Sequence, residues 1–246
     1  MNPDDEARGA PPIEAKAEIH HTHRDVTGGW LRPAVFGAMD GLVSNFALIA
    51  GVVGGSAPSQ VVVLTGFAGL AAGAFSMAAG EYTSVASQSE LALAEIEIER
   101  QEIRSNPHDE ERELAQLYMS RGLEPALATE VARQLSRNPD RALEIHAREE
   151  LGVQAGDLPS PLLAATSSFL SFATGAVLPV IPYLAGATMI WPALVVSIVG
   201  LFLCGAVVSR ITARPWWYGG TRQMLLGGLA AGVTYLVGRL IGGGGL

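Results

Sequence analysis

The sequence has a single cysteine, Cys204, a single lysine, Lys16, and only 7% aromatic residues among its 246. A lone thiol inside an apolar run excludes a disulfide framework, and a thiolate metal site with it. Positive charge is also scarce. The formal net charge of -8 argues against a nucleic-acid partner, because the phosphate backbone demands a basic surface. The N-terminus, MNPDDEARGAPPIEAKAEIHHTHRD, lacks the basic start and apolar core of a secretory signal, so it is expected to stay in the cytosol. Fifteen of the sixteen basic residues are arginine, which points to a GC-rich bacterial genome and to nothing mechanistic.

The most informative absence is of charge over long stretches. Residues 41–80 carry none, and neither do residues 158–209. Both runs exceed the ~20 apolar residues with which a helix spans a bilayer. A water-soluble fold would need buried helices of about twice the usual length with no polar face. Between the two runs, residues 81–157 hold 25 of the 40 charged residues, 17 of them acidic. The pattern is that of a membrane protein with a polar insert.

Turn signals divide the runs. Gly54 to Gln60, GGSAPSQ, separates a helix at about 35–54 from one that starts near 61 and runs into the eighties. Pro179 to Pro192 separates helices near 161–182 and 189–209. Sixteen uncharged residues lie between Arg222 and Arg239; they reach only ~24 Å, so this last helix is short unless both arginines snorkel. The expected fold is an all-α membrane protein of five transmembrane helices. A small helical cytosolic subdomain separates spans 2 and 3. The expected divisions are a flexible cytosolic tail over 1–30, spans 1–2 over 31–90, the subdomain over 91–157 and spans 3–5 over 158–246. Arg24, Arg32, the insert, Arg210, Arg214 and Arg222 fall on one side, which the positive-inside rule makes the cytosol. Small residues crowd the spans, which suits a homodimer and tight packing within one chain equally.

The insert reads as short amphipathic helices. Asn106 and Asn138 are expected N-caps, each followed by proline, and Gly122 and Gly152 are expected stops.

Several polar residues ask for a reason. Asp40 opens a charge-free span, where a carboxylate either faces a pathway or caps the helix at the interface. Met77, Glu81, Ser84 and Gln88 follow one another at helical spacing and line one face, which suggests a hydrated track. A thioether beside a carboxylate biases a site toward transition metals over Mg2+ or Ca2+, although most methionines in spans are packing residues. In the insert, Glu95, Glu99 and Glu102 share a face, as do Glu110 and Glu113, and as do His146 and Glu150. Arg100, Arg104, Arg112 and Arg148 could equally make these a solvated charged surface. The HHTH run at 20–23 could bind metal but, in a tail, is more simply incidental.

Taken together, FGAMDGLVSNFALIAGVVGG and MAAGEYTSVASQSELALAEIEIERQEI resemble the vacuolar iron transporter family. The match runs from about Leu31 to the last span. The resemblance implies five-span dimers that move Fe2+, and often Mn2+, out of the cytosol in exchange for protons. It implies no enzymatic activity and no prosthetic group. It places Asp40 and Met77 on the ion path near the dimer interface and Glu81 at its cytosolic end, with Ser84 adjoining. It assigns metal binding to Glu99, Glu102, Glu110, Glu113 and Glu150; Glu95 is a further candidate on its spacing alone. His146 stands where the plant-type pattern has methionine; imidazole still binds Fe2+, Mn2+ or Zn2+. The implied setting is a multi-pass protein of a bacterial cytoplasmic membrane.

Two other readings use the same residues. A di-iron ferroxidase would carry Glu-x-x-His motifs, but Leu143 precedes His146 by three and Ser105 precedes His108 by three. A membrane-anchored metal sensor would keep the insert and transport nothing.

Overall fold

The structure is a computed structural model that describes residues 29–153 and 156–243. The described residues form nine helices and no strand: α1 (Leu31–Gly54), α2 (Ser59–Ser105), α3 (Pro107–Ser120), α4 (Pro125–Leu135), α5 (Pro139–Glu149), α6 (Pro161–Val177), α7 (Ile181–Leu184), α8 (Trp191–Ile211) and α9 (Trp216–Gly243). Four of them, α1, α2, α8 and α9, are long and apolar enough to cross a membrane. Their large apolar side chains point outward, Leu64, Phe75 and Leu229 among them, which is favourable only when lipid is the solvent.

Helix α6 is shorter than the expected 161–182. It ends at Val177 because Pro179 and Pro182 bring no N–H and interrupt the hydrogen-bond ladder; the one-turn α7 follows. Its 17 residues rise about 26 Å. Helix α9, in contrast, is longer than its uncharged stretch. Its 28 residues give about 42 Å, with Arg222 and Arg239 inside the helix rather than at its ends. The Arg222 guanidinium lies 5.8 Å from the Tyr218 ring centre, the placement of a side chain that turns to the interface.

Helix α6 packs on α1 and α2, and α9 on α1 and α8. Backbones touch where glycine allows it. A Cβ at Gly41 or at Gly175 would collide with the facing main chain of α6 or α1, and one at Gly238 would collide with Gly51. Leu42, Phe46 and Ile49 of α1 fill the interior between them. One amide is buried with them. Asn45 Nδ2 donates to the carbonyls of Gly66 in α2, at 3.1 Å, and Ala176 in α6, at 2.5 Å. It ties three helices together where no water competes.

Helix α2 has no break at the end of its apolar part. Its 47 residues run about 70 Å, so one rigid rod carries both the apolar span and the acidic run that begins at Glu81. Beyond the apolar part, Ile96 and Ile103 are covered by Ala142, Leu143 and Ala147 of α5. Helices α3 and α4 close over Leu114, Ala115 and Ala132. Each large aliphatic side chain buried there contributes about 1.5–3 kcal/mol, a modest core for so many charges.

Proline occupies the first turn of α3, α4 and α5, where its missing N–H costs nothing. Asn138 caps α5, its Oδ1 accepting from the N–H groups of Asp140 and Arg141. Asn106 holds the cap position of α3 but does not cap it with its side chain; its Nδ2 donates to Glu102 of α2 at 2.8 Å. Gly122 and Gly152 take left-handed conformations, φ +97° and +67°, and end α3 and α5 as expected.

Candidate metal centre

The insert brings three helices to one point. On α2, Glu99 lies between Ile96 and Ile103 along the buried face, so packing against α5 draws it inward. On α3, Glu110 enters from the first turn. On α5, His146 follows Ala142 and Leu143 on the buried face, and Glu150 lies one turn further on. The His146 side chain is completely enclosed, and those of Glu99, Glu110 and Glu150 are 14, 12 and 21% exposed.

Three carboxylates converge on one ring nitrogen. His146 Nδ1 is 2.7 Å from Glu150 Oε1, 3.0 Å from Glu99 Oε1 and 3.7 Å from Glu110 Oε2. A ring nitrogen offers one hydrogen or one lone pair, so it cannot satisfy three acceptors. Glu99 Oε1 indeed accepts no hydrogen bond, and His146 Nε2 is buried without a partner. The ligand atoms of Glu99, Glu110 and His146 lie within 4.8 Å of one another, close enough to share one cation.

Burial, and then the repulsion of Glu150, holds the Glu99 carboxyl above the usual carboxylate range. Burial and the neighbouring Glu99 push Glu110 up to about 7. No arginine relieves this crowding. Arg100 pairs with Glu97, Arg112 with Asp109 and Arg148 with Glu144, all outside the cluster, and Arg104 pairs with nothing among the described residues. The solvated-surface reading therefore fails for Glu99 and Glu110; Glu150 is exposed on the whole, with its carboxylate turned to His146. Arg121 reaches from the end of α3 to Glu149 and bolts α3 to α5 beside the cluster.

The other acids of the insert stand apart. Glu95, Glu102 and Glu113 are exposed, with Glu102 and Glu113 near enough to add repulsion at Glu99. Glu102 is engaged by Asn106.

In the membrane half, Asp40 is half-buried on α1, and its carboxylate has no ion pair or hydrogen bond among the described residues. Met77 packs on the cluster of Ala74, Phe172 and Ala176. Glu81 is half-buried, and Ser84, exposed, accepts a hydrogen bond from Gln88 at 3.3 Å. The Asp40 and Met77 helices are parted here by Phe172 of α6, whose backbone abuts Gly41 and whose ring abuts Gly73. The HHTH run lies outside the described residues. Asn45 escaped the sequence reading, although a lone amide in a charge-free span was its signal.

The VIT family model matches residues 31–239. The chain is 40% identical to the vacuolar iron transporter of Acanthamoeba castellanii, over 87% of this chain and 79% of that protein. It is 32% identical to vacuolar iron transporter 1 of Oryza sativa, over 92% and 93% of the two chains. Against vacuolar iron transporter 1 of Arabidopsis thaliana it is 28% identical, over 90% of each. These relatives are named as transporters and not as enzymes. With its long apolar helices and a match that runs from α1 into α9, the chain is an integral membrane protein and belongs to the VIT family.

Proposed function

We propose that the protein exports Fe2+, and Mn2+ with it, from the cytosol in exchange for protons. The observation that carries this reading is the Glu99–Glu110–His146 cluster, joined by Glu150 at its rim, built onto the continuation of a membrane-length helix. Oxygen and imidazole donors together suit divalent first-row ions, Zn2+ included. The relatives named as iron transporters support iron as the cargo.

In this reading α6, prolonged by the segment to Leu184, is the third span in chain order and completes a set of five. Arginine placement puts the insert, Arg32, Arg210, Arg214 and Arg222 on the cytosolic side. The cytoplasmic membrane of a bacterium is the setting. The insert collects metal, with Glu102 and Glu113 adding negative potential at its rim and Glu95 further out. The ion then moves along α2. Glu81 lies eighteen residues before Glu99, about 27 Å down the helix, and Met77 one turn beyond. Asp40 is the anionic stop within the membrane. Because Phe172 parts it from Met77 in one chain, the pair is completed across a homodimer. A carboxylate must lose its proton to hold metal, so a proton arriving at Asp40 or Glu81 from outside releases the cargo.

The test is metal uptake by sealed liposomes holding purified protein, with and without a pH gradient. Gradient-driven Fe2+ and Mn2+ uptake is expected. Metal binding to the insert without any flux would instead establish the sensor.

A further inference from the structure

The insert site contains one nitrogen among oxygens, and the fold holds it rigidly. His146 is fully enclosed, with Nδ1 turned toward Glu99, Glu110 and Glu150 and Nε2 buried without a partner. A packing histidine would have its polar atoms satisfied or wet. A single ring nitrogen cannot neutralise three carboxylates; arginine has the donors for that task, and Arg100, Arg112 and Arg148 pair outside the cluster. The ring cannot swing out, because Ala142, Leu143 and Ala147 on either side are packed on Ile96 and Ile103 of α2. Glu150, four residues on, is held on the same helix face.

The chemistry of such a set differs from that of its parts. Carboxylates alone suit Mg2+, Ca2+ and Mn2+, whereas imidazole favours Fe2+, Co2+, Ni2+ and Zn2+. We propose that His146 is the specificity-determining ligand of the insert, its nitrogen setting the site against Mn2+ and in favour of Fe2+, Co2+ and Zn2+, while the glutamates supply affinity without that discrimination. This deepens the reading of the insert as a metal collector and rests on it. The insert then filters as well as concentrates: two ions that the membrane path accepts arrive at it in different proportions.

The test uses full-length protein in detergent, with His20, His21, His23 and His108 all changed to alanine so that His146 is the one remaining imidazole. Affinities for Mn2+ and for Co2+, an air-stable stand-in for Fe2+, are measured by competition with a chromophoric chelator. In His146→Glu and His146→Gln the Co2+-to-Mn2+ affinity ratio is expected to fall roughly tenfold or more, with Mn2+ binding retained in His146→Glu. Pulsed EPR of Cu2+ bound to the protein with His146 intact needs no variant of that residue, and is expected to show nitrogen modulation from one coordinated imidazole. An unchanged ratio, or bound metal without nitrogen coupling, overturns the role of His146 alone. Absence of metal binding when His146 is intact overturns the collector reading together with it.

Discussion

Helix α2 carries two polar stretches that look alike in the sequence and differ in the fold. Near its C-terminal end, Glu99 is met by Glu110, His146 and Glu150 from the same chain, and the set closes around a point. In the membrane, Met77 and Glu81 meet no comparable partner among the described residues, and Met77 packs on Phe172, whose backbone abuts α1 at Gly41. The first site is complete in one chain; the second, in the function proposed here, needs another copy. Collecting metal and passing it through the membrane are then separable tasks on one rod, and each can be removed without the other.

The largest expected effect is at Asp40. Asp40→Ala is expected to reduce liposome flux to background while the insert still binds metal in equilibrium dialysis. Next comes the insert. Glu110→Gln or Glu99→Gln should weaken metal binding by roughly 10–100-fold in the same dialysis, the scale on which metal sites respond to altered ligation, while the membrane half stays folded.

A third expectation concerns pH. Burial and Glu99 raise the Glu110 carboxyl to about 7 in the folded protein from an ordinary 4.5. A raised carboxyl favours the fold in its protonated form, so its contribution is full below pH 4.5 and is lost as pH rises through about 7. Glu99, raised in the same direction, adds to this. Protection of the metal-free insert against hydrogen exchange, taken relative to the intrinsic rate at each pH, should therefore fall from pH 5 to pH 8, whereas saturating metal, which binds the deprotonated set, should reverse the trend. The same trend in both states would mean that the four residues do not share a cation.

The smallest effect is structural. Asn45→Ala removes two interhelical hydrogen bonds and should cost about 1 kcal/mol, seen as a modest loss in thermal stability with metal binding at the insert unchanged.

The sequence made the charge-free helices legible, because nothing but a membrane rewards forty residues without a charge. It also made the acids of the insert visible as faces of helices. It could not say which of them meet. Glu95, Glu99 and Glu102 have the same spacing logic, and only the packing of Ile96 and Ile103 on α5 selects Glu99. The end of α6 was misread because Pro179 and Pro182 act before the apolar run is finished. The length of α9 stood between a short helix and one whose arginines snorkel, and the structure takes the second, because a long aliphatic stem lets arginine sit inside a helix. Asn106 had the right position for a cap of α3, but it also ends α2, and its side chain turned back one turn to Glu102.

The separation of the two tasks is tested most directly by measuring metal flux against metal concentration in liposomes for wild type, Asp40→Ala and Glu110→Gln side by side. Glu110→Gln is expected to lose flux at low metal and recover it at saturating metal, while Asp40→Ala stays at background throughout. Flux that remains absent in Glu110→Gln at saturation, or normal flux in Asp40→Ala, would contradict it.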